Sequence, residues 1–156
     1  MKGFVLAEEG HVVQAIAPID ITGGKTGQAF SMKKYQHASI LVLIGVSAAA
    51  FTKIIVNQCT DAAGDGATAI PFSIYKAETA AGDVLGARTA VTSAGYTPSA
   101  NDGIFYVIEL DANELADGSP YVQVQLTNGA NSVIGSCVAI LSGARFAETQ
   151  SPTEIV

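Results

Sequence analysis

Gly24-Lys25-Thr26, inside the stretch ITGGKTGQAFSM (Ile21–Met32), has the residue types that close a phosphate-binding loop. Such a loop needs a first glycine five residues before the Gly-Lys-[Ser/Thr] triplet. That position is Ile19, a branched apolar residue. It cannot supply the turn that aims backbone N–H groups at phosphate. The loop should also open a helix whose N-terminus holds the anion, and the following residues carry no helical stripe. The expected structure is a glycine-rich turn between two strands.

The remaining chemistry-bearing residues are few. His11 begins an apolar run and His37 precedes the longest one. No GxSxG elbow accompanies them, and Gly135-Ser136-Cys137 reads as strand interior. Zinc would want CxxC or HxxxH spacing, and neither occurs. Asp61-Ala62-Ala63-Gly64-Asp65-Gly66 has the look of a calcium loop. Counted from Asp61, however, position three is Ala63 and position twelve is Phe72, where an EF-hand needs oxygen ligands. A turn is the expectation there. Glu109, Asp111 and Glu114 could supply a glycosidase carboxylate pair, but acidic residues at a strand end leading into a helical cap have an ordinary explanation. No residue is assigned a catalytic, cofactor-binding or metal-binding role, and no cofactor is expected.

Composition points the same way. The chain has 156 residues, enough for one domain with a real core. Only 14% of them are charged, against roughly 25% in an average soluble domain. So poorly charged a surface suits a chain covered by partners. The formal net charge of −6 argues against nucleic-acid or anionic-membrane binding, which wants clustered Lys and Arg. The opening MKGFVLAEEG turns acidic too early for a signal peptide. Ala38–Phe51, the longest apolar stretch, is broken by Ser39, Gly45 and Ser47 and is too short to span a membrane. Cys59 and Cys137 both fall in strand-like apolar runs. Buried free thiols are the ordinary reading of such positions, with a disulfide as the alternative.

Positioning elements read as strands separated by glycine-rich turns. His11–Ala17, Gln28–Met32, Ser39–Val46 and Thr52–Cys59 are apolar runs. Ser39–Val46 is expected to be central and buried on both faces, and to form a hairpin with Thr52–Cys59 through Ser47–Ala50. In Ala69–Ala77, Ile70, Phe72 and Ile74 alternate with Pro71, Ser73 and Tyr75, the period of a half-buried strand. Glu78–Asn101 is a long excursion with one weak strand near Ala87–Thr92. Gly103–Leu110 is a strong strand. Asp111–Gly118 should form a capped helical turn, with Glu114 three residues after the cap. Pro120–Thr127 alternates cleanly, and Asn128-Gly129 signals a hairpin into Ser132–Leu141. Roughly eight strands, one helical turn and no βαβ alternation make an all-β antiparallel sandwich or jelly-roll-like barrel. Residues 1–156 form one domain with arms at Met1–Gly10 and Phe146–Val156.

Three stretches resemble small virion structural proteins of tailed bacteriophages: Gln36–Arg88, Ile104–Leu126 and Ser136–Val156. The resemblance covers most of the chain from Gln36 onward and carries no catalytic signature. It implies a capsid decoration, or cement, protein on the outside of the head, made in the host cytoplasm. It further implies a homo-oligomer, often a trimer, that clamps neighbouring major capsid proteins, and no enzyme activity. The alternatives are a tail-tube, neck or fibre-associated component, and a carbohydrate- or host-binding β module. The last would use an exposed aromatic cluster from Tyr96, Phe105, Tyr106 and Tyr121.

Overall fold

The cleanest alternation in the chain, PYVQVQLT, places Val122, Val124 and Leu126 on one face of a strand, and all three are fully buried. The same rule builds the rest of the molecule. The computed structural model describes residue 3 and residues 5–78, 84–98 and 102–145. A short helical turn, α1 (Leu6–Glu9), precedes β1 (His11–Asp20), β2 (Lys25–Thr26), β3 (Phe30–Ser31), β4 (Tyr35–Ser47) and β5 (Lys53–Cys59). Then come β6 (Thr68–Ala69), β7 (Phe72–Glu78), β8 (Thr89–Val91), β9 (Ile104–Asp111), β10 (Tyr121–Thr127) and β11 (Val133–Ala144).

The described strands form two antiparallel sheets and no closed barrel. The first is six-stranded, in the order β1-β11-β4-β9-β7-β8. The second runs β2-β10-β5-β6, with β3 also paired to β10. Their facing sides interlock in one core that includes Ile40, Val42, Ile54, Val56, Tyr106, Ile108, Val124 and Leu141. The molecule is thus the expected all-β sandwich. Among the described residues, helix content is the 3₁₀ turn Ala112–Glu114 together with α1. Glu114 reaches back to accept the Asp111 N–H at 2.7 Å, as a capping box should. Gly118, at φ +84°, ends that excursion. Leu6–Glu9, read from the sequence as part of an arm, is the helical turn α1, and Gly10 after it is buried. The arm at residues 146–156 lies outside the described residues.

Two expected hairpins are corrected. β4 does not pair with β5, nor β10 with β11: in each case the chain crosses from one sheet to the other. The two crossings lie side by side, joined by Ala48 N–H to Ser132 O (3.0 Å) and Thr52 N–H to Thr127 O (2.8 Å). Phe51 is buried within the first crossing, and sinking that ring into the core draws the chain across. In the second, Gly129 lacks the positive φ that a two-residue hairpin turn demands. Asn128 instead uses its side-chain amide to hold Ile21 O (3.2 Å) and Asn131 O (2.9 Å).

The Gly23-Gly24 pair, both with positive φ, makes the turn between β1 and β2. Lys25 enters a strand rather than a helix, so the loop cannot present a helix N-terminus to phosphate. A Cβ at Gly27 would lie 2.9 Å from Ile16 and 3.1 Å from the carbonyl oxygens of Ala15 and Val124. That glycine lets the two sheets close on each other at their margin. In the Thr60–Gly66 loop, Asp61 accepts the Asp65 N–H at 3.0 Å, which closes a turn.

Candidate functional site

β4 was expected to be buried on both faces. Its inward residues Ala38, Ile40, Val42 and Ile44 are buried, but its outward residues are not: Leu41 is half-buried and Leu43 is 41% exposed. The reason is that β4 lies in the middle of the six-stranded sheet, whose outer side no described element covers completely.

Register turns that outer side into rows. One row reads Gln14, Val138, Leu41, Val107, Tyr75 across β1, β11, β4, β9 and β7. The next reads Ser136, Leu43, Phe105, Ala77. Toward the end of the sheet near the crossings, Ile134 and Val46 are 40% and 73% exposed. These rows hold no Asp, Glu, Lys or Arg. Val107 and Ala77 within these rows are buried, so the exposed apolar residues toward this end of the face are Leu43, Val46 and Ile134, a grouping of the kind that marks a contact site.

The other end of the same face is polar. There the rows read Val12, Ile140, Ser39, Glu109, Ser73 and then Ser142, His37, Asp111. His37 donates from Nδ1 to Asp111 at 2.7 Å and from Nε2 to Glu109 at 2.7 Å. The Ser39 hydroxyl also donates to Glu109, at 2.7 Å. Arg88 Nε–H reaches Ser73 Oγ at 2.8 Å at the margin of the row. Partial burial pulls the His37 pKa down, but hydrogen bonds to Asp111 and Glu109, together with their charges, outweigh it, and the net shift is upward.

Ser39, His37 and Asp111 superficially form a nucleophile, base and orienting carboxylate, with Ser39 Oγ 3.4 Å from Nε2. The second carboxylate spoils that relay. Glu109 accepts hydrogen bonds from both the Ser39 hydroxyl and Nε2–H, so a doubly donating imidazolium has no lone pair for Ser39. The cluster is an ionic clamp tying β4 to β9.

Glu114, the third carboxylate of the sequence reading, is spent on its cap and stands apart. His11 stacks on Tyr35, ring centroids 5.8 Å apart, away from His37. The convergence of His37, Ser39, Glu109 and Asp111 was missed from sequence. The available signal was polar residues at alternate positions, 37 and 39 on one strand and 109 and 111 on another. Cys137 is buried, and burial pushes its thiol up to about 12. Burial, with the Asp61 charge beside it, raises the Cys59 thiol as well. Both cysteines are free, so the disulfide alternative is set aside. The aromatic cluster required of a carbohydrate-binding module does not assemble. Tyr106 and Tyr121 are buried, Tyr96 packs edge-on against Tyr106 at 5.4 Å, and Phe105 lies within the apolar rows.

Fold and face together define an antiparallel β-sandwich whose six-stranded sheet carries charge-free outward rows toward one end and a His37, Glu109 and Asp111 cluster at the other. No family model matches the chain, and no curated protein matches it. Among solved structures, it is similar to the crystal structure of SPBc2 prophage-derived protein YomS. The TM-score is 0.46 at 14% identity, covering 85% of this chain and 93% of that one.

Proposed function

We propose that the chain is a virion structural protein of a tailed bacteriophage, acting as a decoration protein on the exterior of the head shell. In this reading its role is mechanical. It assembles with copies of itself and binds the major capsid protein, adding contact area across capsomer boundaries that packaged DNA pushes apart. It takes neither nucleic acid nor membrane as a partner, and it catalyses nothing.

The observation that carries the reading is the exposed apolar residues Leu43, Val46 and Ile134 toward one end of the six-stranded sheet, in a chain with so few charges. An enzyme or small-ligand protein concentrates its function in a concave pocket with convergent polar groups. Here the exposed apolar residues Leu43, Val46 and Ile134 sit on a sheet face, which fits contact with another protein. Many modest contacts repeated around a closed shell then add up by avidity.

The test is co-sedimentation of the purified protein with expanded, DNA-free head shells, followed by heat challenge of the loaded shells. Saturable binding and a raised disruption temperature are the expected results. Assembly into stacking six-fold rings with no shell binding would move the protein to the tail tube.

A further inference from the structure

We propose that Asn128 is a self-modification site gated by the fold: when the crossing between β10 and β11 opens, the chain converts Asn128 to aspartate or isoaspartate, and the product no longer fits the closed crossing. Asn128-Gly129 is the one Asn-Gly pair in the sequence. The structure does not use it as a hairpin turn, and Gly129 is exposed. An asparagine followed by glycine has a chemistry of its own, because no side chain shields the glycine nitrogen from the asparagine side chain.

The reaction needs only water. The Gly129 backbone nitrogen loses its proton to solvent and bonds to Asn128 Cγ. The Cγ–Nδ2 bond breaks, and ammonia leaves with a proton taken from solvent. The five-membered imide that results takes up water at either carbonyl. Opening on one side gives aspartate; opening on the other gives isoaspartate, with an extra methylene in the main chain. Nothing is oxidised or reduced.

In the closed crossing the reacting groups are held in the wrong orientation. The Gly129 N–H donates to Asn128 Oδ1 at 2.9 Å. Its proton is therefore turned toward the side-chain carbonyl, and the out-of-plane electron density that must attack Cγ is turned away. Nδ2 donates to Ile21 O (3.2 Å) and to Asn131 O (2.9 Å). The Gly129 carbonyl accepts the Gly23 N–H at 2.8 Å. Rotating the amide for attack breaks both Nδ2 bonds, so the reaction waits until the Gly23-Gly24 turn parts from the crossing. The same contacts reject the product. A carboxylate oxygen in place of Nδ2 faces two carbonyl oxygens with no proton to give. Asp20, which shares the Thr22 hydroxyl with Asn131 O, adds a like charge nearby.

The experiment ages the full chain at pH 8, native and in guanidinium chloride, and follows residue 128 by peptide mapping with mass spectrometry. Conversion should be at least about 10-fold slower in the native protein, since two hydrogen bonds must open together. Gly129→Ala is the control. An added Cβ meets nothing within 4 Å, and Gly129 has no positive φ. This variant should keep the wild-type thermal transition while converting several-fold more slowly in guanidinium.

A second measurement tests the product. Wild type aged in guanidinium and then refolded should divide, with converted chains confined to a fraction of lowered stability. Asn128→Asp should melt about 4 °C or more below wild type. Native protein that converts Asn128 as fast as the unfolded chain overturns the inference. So does equal conversion of wild type and Gly129→Ala in guanidinium. Converted chains and Asn128→Asp that both melt with wild type overturn it from the product side. Failure of Asn128→Asp to fold agrees with it, and the ageing rates of wild type still decide the matter.

Discussion

The His37 clamp makes stability depend on pH in a direction that can be worked out. Histidine ordinarily titrates near 6.5, and in the folded chain the value is raised. A raised folded pKa means that folding favours the protonated ring. The clamp's contribution is therefore fully present below about pH 6.5 and is lost as pH rises through the folded value. The ring and Glu109 are each 34% exposed and Asp111 is 59% exposed, so solvent screens both pairs. Each is then worth roughly 0.5 kcal/mol, and the clamp about 1 kcal/mol. For a domain of this size that is a fall in Tm of about 2–4 °C between pH 6 and pH 9. The assay is differential scanning calorimetry of wild type and His37→Gln across that range, at low ionic strength. His11 is present in both proteins, so the difference between the two curves isolates His37. Glu109→Gln should show about half the wild-type slope. Identical slopes in wild type and His37→Gln, or stability that rises with pH only in wild type, would refute the clamp as described.

Other perturbations have equally definite outcomes. Gly95 has φ +83°, and a Cβ there would lie 2.7 Å from the Ile54 carbonyl oxygen; Gly95→Ala should lose about 2 kcal/mol or more in urea unfolding, because left-handed strain alone costs about 1–2 kcal/mol. Asp20 accepts hydrogen bonds from Ser132, from the Thr22 side chain and backbone and from Val133 N–H, and they lower its pKa to about 2. Its contribution is present above the ordinary aspartate value near 3.9 and is lost as pH falls toward 2, so acid titration of Asp20→Asn should lack that part of the wild-type transition. Both cysteines are buried with raised thiol pKa, so neither should react with a disulfide reagent at pH 8 until denaturant unfolds the chain; fast labelling of the native protein would contradict this packing.

Much of the strand structure was legible because it is written in neighbouring residues. Ile70, Phe72 and Ile74 were expected on one face and are all buried. The Asp111 and Glu114 cap was expected and is present as a single 3₁₀ turn. The two-glycine turn at Gly23-Gly24 and the closed turn at Asp61–Asp65 likewise follow from local backbone preference. Pairing partners were not legible in the same way. Asn128-Gly129 carries hairpin chemistry whether the next strand returns beside its neighbour or crosses to the other sheet. The choice was made by β10 pairing with β5 and β11 pairing with β4, contacts far apart in sequence.

The sequence by itself determined an all-β chain, the inward face of most strands, and a chain of which only 14% of residues are charged. Those properties depend on period-2 alternation and composition, which need no knowledge of neighbours. Only the tertiary structure decided that Val138, Leu41, Val107 and Tyr75, and Ser136, Leu43, Phe105 and Ala77, line up as rows without charge, and that His37 and Ser39 meet Glu109 and Asp111. Register decided both, because a slip of one residue turns every side chain of a strand to the other face.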